Sequence, residues 1–246
     1  NEEMPQAQGQ NLELSNLKHF VLGNSQIKGS ISKWLSGCKM LDLSWNHLSG
    51  GIPLWLGNLN NLYYLDLSNN SFTGHVPHSL TMFLSLQHNN SSSLEGTLFV
   101  FPFGTVETGT LKRMKYEKLA NLRPSLLLRY NKLEGPIWPG FGDLKGLHVM
   151  DLNPIASQDQ FLCSYLAWQC WRFWICLTTN SGEIPQSLTE LSFLSAFDVS
   201  CNELQGEILQ KGQFDTFPPT SFEGNKGLYS HNFSGFMPSS PDAHPS

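Results

Sequence analysis

Leucine and other apolar residues recur along this chain with a period of 24 residues. The segments LDLSWNHLSGGIPLWLGNLNNL (41–62) and LDLSNNSFTGHVPHSLTMFLSL (65–86) align residue for residue. The shared pattern is LxLxxNxLxGxIPxxLxxLxxL. One such repeat cannot bury its own leucines, so the pattern predicts a stack of similar coils. Further copies occupy residues 126–147, 197–212 and, with Ser25 in place of the asparagine, 20–35.

Each position of the repeat has a predicted physical role. The LxL segment forms a short strand whose leucines point inward, because side chains alternate along a strand. The asparagine hydrogen-bonds backbone groups in the turn and links stacked coils. Glycine permits the next bend, and Ile-Pro starts an extended segment. The pattern resembles the plant-specific leucine-rich repeat.

That resemblance implies a solenoid with a concave parallel sheet and a convex side of 3-10 or irregular structure. The variable strand positions would then meet a ligand or partner. Tyr64 and Arg129 are the better contact candidates, because aspartate in the middle of LDL is a common structural choice in this repeat. The predicted concave positions are Asp42, Ser44, Tyr64, Asp66, Ser68, Arg129 and Asp198.

The period slips twice within the first half of the chain. Ser25 and Asn46 are 21 residues apart, which predicts a three-residue deletion near GCKMLDLSWN. Asn70 and Asn131 are 61 residues apart, which predicts an insert of about 37 residues over 87–124. Uninterrupted loops of this length are usually functional or disordered. After a polar opening the insert contains TLFVFPF and the basic residues Lys112, Arg113, Lys115 and Lys118.

The flanks of the insert resemble the last repeats of phytosulfokine receptors, plant receptor kinases that bind a short sulfated-tyrosine peptide. The resemblance rests on YLDLSNNSFTGHVPHSLT, GPIWPGFGDLKGLHVMDL and KGQFDTFPPTSFEGN, and the insert resembles the island domain through FPFG and KYEKLANLRPSLLL. It implies that the peptide lies between island and concave sheet and pairs with an island strand. The matching strand runs from Phe99 to Thr105, with Phe101, Pro102 and Phe103 the clearest matches.

Elementary chemistry fits this role, but alternatives remain. An unpaired strand edge suits an extended peptide, and a sulfate would seek Lys112 or Arg113. Phe101 and Phe103 could equally pack the insert onto the solenoid, and the basic run could be a solvated face.

Residues 153–180 break the pattern altogether. Asn131 and Asn202 are 71 residues apart, so repeats are expected near 155 and 179, yet the residues there show neither. Codons for WRFWICLTTN can also spell EILDLSHNK in another frame, and PIASQDQFL can yield NSISGSIP. We interpret the segment as a frameshifted translation; the alternative is a natural, divergent insert. The interpretation predicts that coils before 152 and after 181 no longer stack continuously, and that Cys163, Cys170 and Cys176 are accidental.

The predicted organisation follows from these boundaries. It consists of an N-terminal flank (1–16), repeats (17–86), the insert (87–124), a repeat (125–152), the non-repeat segment (153–180), repeats (181–212), a closing segment (213–228) and a disordered tail (229–246).

By the resemblance, a closing segment usually brings a cysteine pair, and here Tyr229 stands where a cysteine is expected. No signal peptide is recognised at the start. The apolar run 161–177 is too short and too interrupted for a membrane span.

Composition argues against other classes of function. The net charge of −5 argues against a general nucleic-acid binder. The five cysteines lack metal-ligand spacing, and no nucleophile motif or glycine-rich phosphate loop occurs, so we expect no enzyme, metal or cofactor. His88 and His148 are taken as ordinary surface or turn residues. Glycosylation sequons, meaningful only in a secreted chain, begin at Asn69, Asn89, Asn90 and Asn232.

The leading hypothesis is a truncated ectodomain of a peptide-hormone receptor, extracellular or at the cell surface, without kinase output. Its partners would be a small secreted peptide, tyrosine-sulfated by the resemblance, and a leucine-rich repeat co-receptor. A second hypothesis is a degraded receptor copy without stable activity. A third is an inhibitor of a cell-wall hydrolase, since plant polygalacturonase inhibitors share the repeat, but the insert argues against it.

Overall fold

A computed structural model describes residues 2–5, 17–87, 123–153 and 181–230 as a stack of coils. Most coils contain an inner strand, an outer strand and a 3-10 helix. The strands are β1 (His19–Val21), β2 (Lys28–Gly29), β3 (Met40–Asp42), β4 (His47–Gly50), β5 (Tyr64–Asp66), β6 (Ser71–His75), β7 (Ser125–Leu127), β8 (Lys132–Glu134), β9 (Val149–Asp151), β10 (Ser181–Glu183), β11 (Ala196–Asp198), β12 (Glu203–Glu207) and β13 (Gly227–Tyr229).

Helical structure in the described ranges is short. The 3-10 helices are Lys33–Gly37, Leu54–Asn58, His78–Met82, Pro139–Asp143, Gln186–Glu190, Gly212–Thr216 and Pro219–Ser221. A single α-helical turn, α1, spans Leu84–Gln87.

The inner strands form one parallel six-stranded sheet in the order β1-β3-β5-β7-β9-β11. Equivalent repeat positions pair across it: Leu41 with Leu65, and Leu65 with Leu126. The outer strands form two parallel sheets, β2-β4-β6-β8 and β10-β12-β13. The predicted solenoid of parallel strands and 3-10 helices is therefore confirmed.

The hydrophobic core lies between the inner and outer strands. Leu41 and Leu43 of one coil, and Leu65 and Leu67 of the next, are buried in it as the LxL pattern predicts. Adjacent coils also approach closely at their helices, where a Cβ on Gly57 would lie only 2.1 Å from the Ser79 carbonyl oxygen. Only glycine fits there, so the packing of adjacent coils requires glycine at position 57.

Repeat asparagines link successive coils through buried hydrogen bonds. Asn131 donates from Nδ2 to the carbonyl oxygens of Leu67 (2.8 Å) and Leu128 (2.9 Å) and accepts at Oδ1 from the Phe72 amide (3.1 Å). Asn70 makes the equivalent bonds to Leu43 and Leu67. Each side chain thus bridges its own coil to the preceding one, which confirms the predicted role.

The first coil departs from the pattern in two ways. The three missing residues fall between helix Lys33–Gly37 and β3, where only buried Cys38 and Lys39 connect the helix to the strand. Ser25 does not replace the asparagine: its Oγ donates to Gly23 in the same coil, while its amide donates to Asn46 of the next.

Glu2–Pro5 adds a partial coil that the sequence patterns did not reveal. The Met4 amide donates to the Lys28 carbonyl oxygen (2.8 Å), and the Met4 side chain is buried in the core. Met4-Pro5 therefore takes the Ile-Pro position of a repeat.

The insertion point falls between two coils that stack directly. The described residues end with α1 before the insert and resume at Arg123 after it, and β5 pairs with β7 in register. The residues between, 88–122, lie outside the described ranges, so their identification as an island remains a prediction.

The predicted break in stacking near 153–180 is not observed. β9 pairs directly with β11, and the Leu152 amide donates to the Asp198 carbonyl oxygen (3.0 Å). The helices of the flanking coils also meet, since Ser187 Oγ donates to the Pro139 carbonyl oxygen (2.6 Å). One coil, built from β9 and from β10 with its helix, stands where two were expected. Residues 154–180 are not described, and their frameshift origin remains a hypothesis.

The closing segment continues the solenoid instead of merely covering it. Asn225 donates to the Val199 and Phe222 carbonyl oxygens (2.9 and 2.8 Å), as a repeat asparagine does. Phe214, Phe217 and Phe222 pack around Phe197. Tyr229 belongs to β13, so the predicted disordered tail does not begin at 229; residues 231–246 lie outside the described ranges.

Replacing Asn131 with alanine should destabilise the solenoid by about 2–4 kcal/mol, because it leaves one amide and two carbonyl groups without their buried partner. Urea unfolding followed by circular dichroism measures the change. Asn60→Ala, at an exposed asparagine, is the matched control and should shift stability by about 0.5 kcal/mol or less. Equal effects of the two variants would contradict the structural role of the asparagine bonds.

Candidate functional site on the concave face

The candidate site is the concave face, defined as the side chains of the six inner strands that point away from the leucine core. Strand alternation places Met40 and Asp42 here while Leu41 points into the core. The last residues of the six strands align into a row across the sheet: Val21, Asp42, Asp66, Leu127, Asp151 and Asp198.

The aspartates of this row have a local structural task. Asp42 Oδ1 accepts hydrogen bonds from the Ser44 amide (2.9 Å) and hydroxyl (2.7 Å), and Asp66 accepts from the amide and hydroxyl of Ser68. Asp198 accepts from the Ser200 amide (2.9 Å). This supports the distinction made above between structural aspartates and contact candidates.

The row is interrupted in β7, where Leu127 replaces the aspartate and Arg129 replaces the serine two residues later. Arg129 Nη1 lies 3.4 Å from Asp151 Oδ2 on the neighbouring strand, and the guanidinium lies 5.1 Å from the centre of the Tyr130 ring. The Arg129 side chain is 42% exposed. Arg129 is thus partly neutralised and still accessible.

A small apolar cluster lies on the same face beside the interruption. Met40 and Tyr64 form its centre, and Val21, Tyr63 and Leu127 pack against them. The Tyr64 hydroxyl lies 3.5 Å from Asp66 Oδ2, and the residue is 7% exposed. Of the two preferred contact candidates, Arg129 is therefore far more accessible than Tyr64.

Burial and mutual repulsion shift the acid–base behaviour of two row carboxyls. Burial, followed by the charge of Asp42, raises the pKa of Asp66 to about 6, although bonds from Ser68 oppose the shift. Burial also raises the pKa of Asp151 to about 6; Arg129 opposes this rise and Asp198 adds to it. Both carboxyls therefore titrate between neutral and mildly acidic pH.

Several predicted site residues lie outside the described ranges, so their roles stay predictions: Phe99, Phe101, Pro102, Phe103, Thr105, Lys112, Arg113, Asn89, Asn90 and Asn232. Asn69 is described. It is 9% exposed and its amide nitrogen has almost no accessible surface, which argues against a glycan there in the folded chain.

Sequence reasoning missed the interruption itself, although its signal was present. Aligning LLLRYN with LDLSWN and LDLSNN shows two substitutions at concave positions of one strand. The alternation that placed Arg129 on this face also places Leu127 beside it.

Other chemistry has little support in the described residues. They contain no group of three or more His, Cys, Asp or Glu side chains arranged to hold a metal ion. Cys38 and Cys201 are free thiols, and burial raises the pKa of Cys38 to about 11, which makes it unreactive. A search of these residues for a helix long and apolar enough to cross a membrane found none.

Comparisons with known proteins agree with this architecture. The family model of the Leucine Rich Repeat matches residues 39–59 and 61–83. The chain is 43% identical over 145 residues to phytosulfokine receptor 1 of Arabidopsis thaliana, covering 58% of this chain and 14% of that protein. It is 36% identical over 183 residues to receptor-like protein 18 of the same plant, covering 69% and 22%.

The chain is a plant leucine-rich repeat protein of the receptor-like type. Among solved structures, this leucine-rich repeat protein is similar to the ectodomain of the Arabidopsis thaliana membrane receptor kinase GASSHO1/SCHENGEN3 in complex with CASPARIAN STRIP INTEGRITY FACTOR 2. The TM-score is 0.62 at 25% identity, covering 93% of this chain and 20% of that one. The plant peptide hormone receptor RGFR1 in complex with RGF2 shares the fold, with a TM-score of 0.60 at 21% identity over 88% of this chain and 26% of that one. The chain spans less than a quarter of the length of phytosulfokine receptor 1 and of receptor-like protein 18.

The raised pKa values predict that the leucine-rich repeat protein gains stability as the pH falls from 7 to 5. Asp66 and Asp151 have folded-state pKa values near 6, above the unfolded value, so the folded state takes up protons first in this window. We expect a gain of about 1 kcal/mol for each carboxyl. Urea unfolding at the two pH values measures it.

Asp66→Asn should remove roughly half of this pH dependence. Asp143→Asn, at an exposed aspartate of a 3-10 helix, is the matched control and should leave it unchanged. A wild-type protein that loses stability over the same interval would refute the assignment.

Proposed function

We propose that this chain is the ligand-binding part of a plant peptide-hormone receptor and that its concave face binds a short secreted peptide. The proposal is supported by the similarity to phytosulfokine receptors 1 and 2, and to an ectodomain solved with CASPARIAN STRIP INTEGRITY FACTOR 2. It describes a binding module, and kinase output is not part of the proposed activity.

The observation that carries the proposal is the interruption of the aspartate row in β7. The aspartates on either side accept bonds from their own strands, which is a structural use repeated in several coils. Leu127 and Arg129 depart from that repeat. Arg129 forms an ion pair with Asp151 through Nη1, while much of its side chain remains accessible. An arginine has five donors, so further acceptors on a peptide can bind it.

The surroundings of Arg129 favour an extended ligand with both apolar and acidic groups. The cluster of Met40, Tyr64 and Leu127 offers apolar contact on the strand of Arg129 itself and on the two strands before it. Arg129 offers charge-assisted hydrogen bonds to a carboxylate or sulfate. The ligand would lie across the strands, because these features are arranged along the solenoid axis.

The insert is proposed to cover the bound peptide from the other side. In this proposal the segment from Phe99 to Thr105 pairs with the peptide through its free edge, with Phe101, Pro102 and Phe103 at the contact. Lys112 and Arg113 would bind a sulfate on tyrosine. The described structure supports the location, because the residues on either side of the insert belong to the adjacent coils of β5 and β7.

The cellular context follows from the same proposal. The peptide would be met outside the cell or at its surface, and a leucine-rich repeat co-receptor would join the complex. Two hypotheses compete with it: a degraded copy without activity and an inhibitor of a cell-wall hydrolase. Neither requires the concave face to recognise a sulfated peptide.

Titration of the purified chain with phytosulfokine and with its unsulfated form tests the proposal. We expect saturable binding by isothermal titration calorimetry and at least tenfold weaker affinity for the unsulfated peptide, because a charge-assisted contact contributes about 1.5–3 kcal/mol. Binding that ignores sulfation would refute the proposed role of the insert. No binding of either peptide would favour the competing hypotheses.

Arg129→Gln should weaken this binding about tenfold or more, since it removes the accessible charge beside the apolar cluster. Lys132→Gln is the matched control: it removes the same charge from an exposed position of outer strand β8 and should leave affinity unchanged. Equal affinity of wild type and Arg129→Gln would exclude Arg129 from the peptide contact.

A further inference from the structure

A cavity of about 340 Å³ opens at the C-terminal end of the concave face. It lies between the last two inner strands, β9 and β11, and the segment that leads into the closing coil. Its lining residues are Val149, Met150, Asp151, Ser195, Ala196, Phe197, Asp198, Thr216, Phe217, Pro218 and Ser221.

The walls of the cavity divide into an apolar and an acidic part. Val149 and Ala196 occupy paired positions at the start of the two strands, and Phe217 and Pro218 face them from the closing segment. Asp151 and Asp198 are paired two residues further along the same strands. A molecule entering along the apolar walls therefore reaches two neighbouring carboxylates.

Charge is unevenly distributed along this cavity, because Arg123 donates from Nη1 to Ser195 Oγ (3.0 Å) just before β11, whereas Asp151 and Asp198 lie at the other ends of their strands. Arg129 approaches Asp151 at 3.4 Å and compensates one negative charge. Asp198 accepts a hydrogen bond from the Ser200 amide at Oδ1, and no ion pair to it is found in the described residues. The Asp151, Asp198 and Arg129 group thus carries one uncompensated negative charge, and the repulsion between the two carboxylates helps to raise the pKa of Asp151.

The size of the cavity limits what can enter. Its volume lies at the lower end of the range for small-molecule sites, which suits a single side chain more than a whole ligand. A lysine or arginine side chain combines an apolar stem with a terminal positive charge. The stem would lie on Val149, Ala196 and Phe217, and the charged end would reach Asp198.

We propose that this cavity is a binding site for one monovalent organic cation on an alkyl stem, namely a lysine or arginine side chain of the bound peptide. The assignment of the occupant to a peptide rests on the proposed function, whereas the cation site itself does not. A metal ion fits less well, because the cavity has only two carboxylates and one is already paired with arginine. The site lies about two strands from Tyr64 along the sheet order, so one extended peptide could span both.

The site can be tested without knowing the hormone. Purified, ¹⁵N-labelled protein is titrated with n-butylammonium and n-butylguanidinium, which reproduce the lysine and arginine side chains. Butan-1-ol and pentanoate serve as neutral and anionic probes. We expect saturable shifts in the millimolar range at the backbone amides of Asp151, Ala196, Asp198 and Phe217 with the two cations only.

Two variants separate the charge from the cavity. Asp198→Asn keeps an oxygen for the Ser200 amide and should weaken cation binding at least fivefold, and Ala196→Leu should abolish it by filling the space. Glu203→Gln removes the same charge from outer strand β12 and should change nothing. Equal shifts with the neutral or anionic probe, or unchanged affinity in both cavity variants, would overturn the proposal even if the sulfated peptide binds.

Discussion

The structure depends on the buried asparagine that joins each coil to the one before it. Backbone groups at the turn of one coil point toward the next coil and need hydrogen-bond partners there. Asn46, Asn70 and Asn131 satisfy these groups from the side, with Nδ2 on carbonyl oxygens and Oδ1 on an amide. Because each unsatisfied buried group costs about 1–3 kcal/mol, these bonds fix the distance and register between coils.

The same bonds impose a conformational cost on the preceding residue. Trp45, Tyr130 and Cys201 all have φ between 56° and 59°, a left-handed conformation that is unfavourable for such side chains. Asn69 and Gly224 occupy the equivalent place with φ of 52° and 80°. The position is left-handed whether or not its residue prefers it, and Asn24, which is followed by Ser25 and not by an asparagine, is left-handed too (φ 54°). The conformation therefore follows from the stacking of the coils and not from local preference.

This dependence explains which parts of the fold the sequence could predict. Leucine spacing and asparagine spacing specify the coils, so strands such as β3 and β5 follow from the sequence alone. Counting 24-residue periods wrongly predicted a break in stacking near 153–180. Stacking requires only that each inner strand carry apolar residues at its inward-facing positions, and Met150 and Leu152 do so. Asn225 was missed because phenylalanine replaces leucine at Phe222, although the three-residue spacing to the asparagine is kept.

The candidate functional surface is distinguished by departures from the repeat, and this limits prediction in a different way. Where the repeat aspartate is kept, as at Asp42 and Asp66, its carboxylate accepts hydrogen bonds from the serine two residues later and has little capacity for a ligand. Where Leu127 removes the carboxylate, Arg129 has no acceptor in its own strand and reaches Asp151 on the next. Sequence identifies the departure, but only the register of β7 with β9 shows that the arginine leaves Asp198 uncompensated one strand further on. Along the solenoid axis the concave face therefore presents first the apolar cluster beside the structural Asp42 and Asp66, then the accessible Arg129, and then the pair of Asp151 and Asp198.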